Sequence, residues 1–413
     1  MLDAEPIAAA LHRRWPELGW EGALACARLD SPPDGPWIEE VTPCQPATHG
    51  PICRWGNRLY WIADWNWESA LAAALNPAKV SLLVGGPGTG KSTAAAGRIG
   101  EAVERGQQIT VAAPTGKALS RLEQRIKSDS IRYATLHRLL GARIDGTLTR
   151  PHACVTEGLV VVDECSMIDG RMMAALVKSL GPETQLLLVG DPDQLPPIGQ
   201  GNPFQELVRS NLLPCQRLTQ VRRTDSPELQ AVAASVRAGQ PIPTQPLPPP
   251  GDWLCDLWRQ GYQILSAMRQ GPYGAEALNG LFHDRDAIPI CIVRNAPDQG
   301  LYNGDMGRLS NGIAHMDNGT ELPQSLLPPY VRAYVLSVHR AQGSEWDKTA
   351  VLLPKGSESF GRELLYTAVT RGRRELLVYA APNVVEAMVS AAPPFRGSLG
   401  DQMRCIKMTN TSN

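Results

Sequence analysis

The stretch SLLVGGPGTGKST, residues 81 to 93, has a spacing that can do chemistry. Gly85, Gly88 and Gly90 allow backbone N–H groups to turn toward one point, and Lys91 and Ser92 follow directly. Converging backbone donors, a lysine and the positive end of a following helix suit a polyphosphate. Lys91 would sit on the β and γ phosphates of ATP and Ser92 on Mg²⁺. The candidate nucleotide-binding residues are therefore Gly85, Gly86, Pro87, Gly88, Thr89, Gly90, Lys91, Ser92 and Thr93. A chance glycine-rich turn would not also have the strand VSLLV before it and the helical run STAAAGRIGEAVERG after it.

A second acidic element completes such a site. LVVVDECSMID, residues 159 to 169, is an apolar run ending in Asp163 and Glu164. A buried parallel strand would present both carboxylates at its C-terminal edge, where open α/β sheets bind ligands. Asp163 would hold Mg²⁺ and Glu164 would act as general base on the attacking water. QLLLVGDPDQLPPIG places Gln194 after a third strand, suited to sensing the γ-phosphate. These elements define a P-loop ATPase without saying what its hydrolysis drives.

The elements that must position these groups show in the hydrophobic pattern. From Val80 to about Ala381, short apolar runs alternate with helix-like segments, the signature of an α/β fold with parallel sheets. Nine candidate strands are too many for one nucleotide lobe: VSLLV, ITVAA, LVVVD, QLLLV, YQIL, IPICIV, AYVLSV, TAVLLP and ELLVYA. Two lobes are expected, residues 76–215 and 216–390, the second with a short β insertion at about 303–330. The proline-rich segment 239–251 reads as a surface connection, because its prolines lack a backbone donor. Residues 1–75 hold seven of the ten tryptophans and read as a small N-terminal domain, either a core of its own or a surface for docking a partner. Residues 391–413 form a C-terminal tail.

Composition narrows the function. The 413 residues carry a formal net charge of −1, so a nucleic-acid site would have to be a local groove. No run approaches the length of a membrane span, and no leader-like start is present, so a cytoplasmic location is expected. The nine cysteines are scattered without zinc spacing and read as free thiols.

Further blocks resemble one family, the superfamily 1 DNA helicases of the RecD type, the α subunit of exodeoxyribonuclease V. AAPTGKALSRL at 112–122, ATLHRLLGA at 134–142 and LLVGDPDQLPPIGQG at 187–201 look like its motifs Ia, Ib and III. LTQVRRTD at 218–225, AYVLSVHRAQGSEWDKTAVLLP at 333–354 and ELLYTAVTRGRRELLVYA at 363–380 resemble motifs IV, V and VI. ILSAMRQGPYGAEALN and LYNGDMGRL look like further blocks of this branch, and all stand in the family's order. The resemblance implies an ATP-dependent motor moving 5′ to 3′ on single-stranded DNA, with RecB-like and RecC-like partners in double-strand break repair.

It also implies roles for residues that local pattern leaves open. Arg223 and Arg371 would be arginine fingers reaching the nucleotide from the second lobe, with Arg222 the alternative to Arg223. Glu345 would contact the ribose. Thr115, Thr135 and His137 from the first lobe, with Ser337 and His339 from the second, would contact the DNA backbone. The adenine-reading Gln that many relatives carry before the P-loop has no counterpart in residues 61–84, where Glu68 falls nearest. The regions that usually carry strand-splitting insertions are short, which favours translocation over efficient unwinding. A free-standing phage or mobile-element motor, and a nucleotide- and DNA-binding scaffold that does not cycle, are the competing readings.

Overall fold

The computed structural model describes residues 4–14, 16–28, 38–49, 51–56, 58–126, 128, 130–141, 155–220, 226–283, 287–391 and 397–410. Arg222 and Arg223 lie outside the described residues.

Two RecA-like lobes carry separate parallel sheets. The first has six strands in the order Ile131–Thr135, Ile109–Ala113, Val155–Val162, Leu180–Gly190, Val80–Gly85 and Cys215–Leu218, all parallel. Its central strands are apolar on both faces because both faces are covered: Leu82, Leu83, Val160, Val161, Leu187 and Leu188 are all buried. The P-loop strand lies inside the sheet, so its C-terminal end opens beside the ends of Val155–Val162 and Leu180–Gly190. That edge carries the P-loop, Asp163 and Gln194.

The second sheet runs Gln245–Pro246, Gly372–Ala380, Trp346–Leu353, Gln263–Ser266, Val335–Ser337, again all parallel. The proline-rich segment supplies the two-residue edge strand, the one place in a sheet where a missing donor costs little. The run IPICIV differs from its expected place. Ile288–Ile292 pairs antiparallel with both Met306–Ser310 and Tyr330–Arg332, in a five-stranded sheet completed by Ile313–Met316 and Glu321–Pro323. The β insertion is therefore wider than 303–330.

Before lobe 1, the helices Ala4–Arg14 and Gly19–Arg28 pack with a three-stranded sheet, Ile38–Glu40, Ile52–Trp55 and Arg58–Trp61. Trp65 is fully buried against Trp55 and Tyr60, and its indole N–H donates to the Gln45 carbonyl at 2.8 Å. The next helix, Ile62–Ala74, belongs to lobe 1 on its other face: Trp67, Leu71, Ala72 and Leu75 share one core with Val80, Leu82 and Val160. Among the described residues, no helix is long and apolar enough to cross a membrane, and the cysteines are free.

The chain's end returns to this same helix. Helix Leu399–Asn410 lies against Ile62–Ala74 and against Pro203–Ser210 of lobe 1. Glu68 is sealed beneath it, its Oε2 accepting from the Ser398 backbone N–H at 2.6 Å and from the Ser398 hydroxyl. The Gln402 side chain donates to Ser398 Oγ at 2.7 Å and accepts from Ser69 Oγ and Cys44 N–H. Arg58 pairs with Asp401 at 2.8 Å on the outside. Burial pushes the Glu68 carboxyl up to about 8. A carboxyl raised in the folded state stabilises fully below its ordinary value, and that contribution is lost as pH rises through the raised one. The midpoint of thermal unfolding should fall between about pH 4.5 and about pH 8, and Glu68→Gln should flatten that fall. Differential scanning fluorimetry across the range checks both, and an equally steep fall in the variant would remove Glu68 as the cause.

Candidate nucleotide site

The P-loop is shaped by close contacts that tolerate no extra atom. A Cβ on Gly85 would lie 2.4 Å from Thr89 Oγ1 and 2.9 Å from the Leu218 carbonyl. Gly88 and Gly90 sit at φ 73° and 88°, the left-handed region that turns successive N–H groups inward. Gly90 then caps the helix Lys91–Glu104, so the helix's open N–H groups face the loop. Lys91 Nζ donates to the carbonyls of Gly85 and Gly86, and Thr89 Oγ1 closes the loop on Gly86 at 2.8 Å. A cradle of backbone donors with its lysine at the rim fits a triphosphate.

Asp163 follows the strand Val155–Val162 and accepts from the Glu164 N–H at 2.8 Å. Burial pushes its carboxyl above the ordinary range, and the neighbouring Glu164 charge adds to this. Such a group gains from a cation. Among the described residues, no group of three or more His, Cys, Asp or Glu side chains could hold a metal ion by itself. A metal would rest on Asp163 and Ser92 with phosphate oxygens and water, the ligation Mg²⁺ accepts. Glu164 holds a left-handed backbone, φ 53°, rare for a residue with a side chain and a form of strain that clusters at functional sites. Gln194 is buried beside them and donates to Asp191 at 3.2 Å.

A cleft of about 1050 Å³ separates the lobes, and most of the expected residues line it. Gly86, Pro87, Gly88, Gly90, Lys91, Ser92, Thr93, Thr115, Asp163, Glu164 and Gln194 come from lobe 1, and Ser337, His339, Glu345 and Arg371 from lobe 2. Arg371 is buried at the end of helix Gly361–Val369, donating to the Thr367 carbonyl at 2.9 Å, the Ser344 carbonyl at 3.2 Å and Thr370 Oγ1 at 3.1 Å. Three of its five N–H groups are used, so two remain for the cleft. Glu345 pairs with Arg373 at 3.1 Å. A second cavity of about 450 Å³ adjoins the P-loop, with Arg217, Arg237 and Tyr366 in its wall, and Glu345 and Arg373 line both cavities.

The residues expected to touch DNA divide. Thr115 caps the helix Gly116–Arg125, accepting from the Ala118 N–H at 3.2 Å, and Ser337 accepts from the Arg340 N–H at 3.4 Å. His339 lies edge-on to Phe360, and burial lowers its pKa, so it is neutral near pH 7. Thr135 and His137 do not line the cleft. Thr135 pairs in register with Ala113 at the same sheet edge and caps Leu136–Leu139, while His137 is exposed. Glu68 is far from any base-reading role, being buried under Ser398.

Several cleft residues carried no sequence signal of a role. Leu195 N–H donates to Thr367 Oγ1 at 2.8 Å across the lobes, and the Tyr366 hydroxyl donates to Asp191 at 3.2 Å. Arg237 joins the same group, pairing with Asp193 at 2.9 Å and donating to Tyr366 at 2.6 Å. Only their position inside the quoted blocks, or for Arg237 nothing local, could have marked them.

A P-loop NTPase of two parallel-sheet lobes, with its phosphate loop facing cations of the second lobe, is the class that fold and cleft define. A family model described as an AAA domain matches residues 67–245, and one described as a UvrD-like helicase C-terminal domain matches residues 332–379. The ATP-dependent RecD2 DNA helicase of Deinococcus radiodurans is 32% identical, over 71% of this chain and 46% of its own length. The chain thus spans about half of that relative. The RecBCD enzyme subunit RecD of Mycolicibacterium smegmatis is 28% identical, over 91% of this chain and 85% of its own. The crystal structure of Bacteroides Pif1 bound to single-stranded DNA shares the fold, with a TM-score of 0.52 and 18% identity, covering 80% of this chain and 94% of that one. The chain is thus homologous to RecD and RecD2 helicases over most of its length, at 28% and 32% identity to these two.

Lys91→Ala should abolish ATP hydrolysis while single-stranded DNA binding stays within a few-fold, because phosphate charge is met in one place and DNA in another. Phosphate release and fluorescence anisotropy on the same samples check this. Lost DNA binding with intact hydrolysis would overturn the placement of the site.

Proposed function

We propose that the chain is an ATP-driven motor that translocates 5′ to 3′ on single-stranded DNA. One observation supports this reading above others: the P-loop lysine, the acidic pair and Gln194 of one lobe share a cleft with Arg371 of the other. Charge supplied from a second lobe ties hydrolysis to lobe closure, which a kinase or a passive scaffold does not need.

Bound Mg²⁺ and ATP would supply the phosphoanhydride that is cleaved. Lys91 and the loop N–H groups would hold the phosphates, Ser92 and Asp163 the metal, and Glu164 would take the proton of the attacking water. Gln194 would sense the γ-phosphate, and Arg371 would meet charge developing in the transition state. The ribose would lie at Glu345, between the two cavities. Arg223 remains a second candidate finger from the motif IV block.

DNA would lie across the opposite end of the cleft, on Thr115, Ser337 and His339, with Thr135 and His137 extending the path along the edge of lobe 1. Thr115, Thr135 and Ser337 carry hydroxyls without charge, and burial keeps His339 neutral, which suits a strand that must slide. We further propose a RecD-like subunit working with RecB-like and RecC-like partners in double-strand break repair and recombination, in the cytoplasm. The RecBCD subunit of Mycolicibacterium smegmatis supports this, since the match spans 91% of this chain and 85% of that subunit. Copurification of two large subunits with the tagged chain tests it, and a chain that unwinds DNA alone at full rate would favour a free-standing motor.

Arg371→Ala should lower kcat in saturating single-stranded DNA by roughly 10³-fold, with nucleotide affinity changed far less, because its charge matters most in the transition state. Steady-state hydrolysis with thermal melts checks this. Normal turnover in a normally folded variant would remove Arg371 from the site.

A further inference from the structure

Helix Gly116–Arg125 reaches across the cleft with two cations one turn apart, Lys117 and Arg121. Lys117 Nζ donates to Ser344 Oγ at 2.7 Å and to the Gly304 carbonyl at 2.6 Å, and Arg121 donates to the Gly343 carbonyl. Gly343 sits at φ 71°, a left-handed conformation that a side chain would disfavour. Ser344 is buried, and its own carbonyl accepts from Arg371 NH1 at 3.2 Å. The backbone closes the circuit, with Trp346 N–H donating to the Arg371 carbonyl at 2.9 Å. One loop, residues 343–346, is thus gripped by lobe 1 on one side and holds the arginine of lobe 2 on the other.

Burying an ammonium is expensive, and burial lowers the Lys117 pKa, with Arg121 adding to the effect. An apolar contact would join two lobes at lower cost. What a charged donor adds is direction, since its partner must lie where the hydrogen bond points. The helix that carries Lys117 opens with Thr115, the residue read above as a DNA contact, whose side chain caps it. Tyr302 of lobe 2 packs so tightly against Gly116 that a Cβ there would lie 2.0 Å from its ring. Lobe 2 therefore touches this helix at its first turn, where strand contact and lysine meet.

We propose that Lys117 and Ser344 are positioning residues for Arg371, forming the link through which the strand-contacting helix of lobe 1 sets the arginine in lobe 2. The proposal rests on the motor reading and deepens it. Neither residue touches the reacting phosphate. They act by fixing the 343–346 loop, so that lobe closure delivers Arg371 in one orientation.

The test uses the full chain with Ser344→Ala, Lys117→Met and the double variant, measuring kcat and KM for ATP in saturating oligothymidylate, with thermal melts. Each single variant should lower kcat by about tenfold or more, the size of one charge-assisted hydrogen bond expressed as rate, with KM within about twofold. The double variant should fall no further than the worse single one, because both remove the same link. Ser344→Ala removes a single oxygen, so it keeps the test decisive if Lys117→Met does not fold. Wild-type kcat in folded Ser344→Ala, or losses that multiply in the double variant, would overturn the proposal while leaving the motor intact. A wild-type chain whose hydrolysis ignores single-stranded DNA would instead overturn the motor reading, and the proposal with it.

Discussion

A triphosphate carries more negative charge than one loop offsets, so cations from two separately folded sheets have to converge on one cleft. Lys91, Lys117, Arg121 and Arg125 approach from lobe 1, and Arg269, Arg340, Arg371 and Arg373 from lobe 2, with Asp163, Glu164 and Glu345 among them. Like charges gathered this way oppose folding unless each has an acceptor. Carbonyl oxygens fill that need: Gly85 and Gly86 for Lys91, Thr367 and Ser344 for Arg371, Gly304 for Lys117. The Lys91 and Arg371 contacts stay within their own lobes, whereas the Lys117 contact to Gly304 joins the two. One set of carbonyls thus both seats the cations and links the lobes, in a chain whose net charge is only −1.

The residues around Asp191 join the lobes by another route. Gln194 donates to Asp191, Asp191 accepts from Tyr366, and Tyr366 lies on the helix Gly361–Val369, which ends two residues before Arg371. Leu195, next along, buries its side chain in the core of lobe 2 while its N–H donates to Thr367. A shift of helix Gly361–Val369 therefore moves both Gln194 and Arg371. Two groups contributed by different sheets are held as one unit by buried polar contacts, which are costly to break because their desolvation has already occurred.

What could be read from sequence was whatever one segment decides by itself. The P-loop, Asp163 and Glu164 were legible because strand, turn and helix follow each other within a few residues. The buried strands were legible as apolar runs, whereas Ile131–Thr135 was missed because Arg132 faces solvent on an edge strand and breaks the run. Ile288–Ile292 looked like a core strand of the parallel sheet, since an apolar run does not state its partner's direction. Lys117 and Ser344 lie in quoted blocks, but their meeting joins residues 227 positions apart, and no local pattern encodes that. Glu68 illustrates the same limit. It falls nearest to where many relatives carry an adenine-reading Gln, and nothing near it in sequence marks the helix from the far end of the chain that covers it.

That returning helix changes what lobe 2 can do. The chain leaves lobe 1 after Cys215–Leu218 and comes back at Gly397, whose N–H donates to Glu206 at 3.1 Å. Lobe 2 is tethered at both of its ends, so separating the lobes would require stripping Ser398 and Gln402 from Glu68, Ser69 and Cys44. A body held at two points turns about the line between them, and such rotation is hinge closure rather than dissociation.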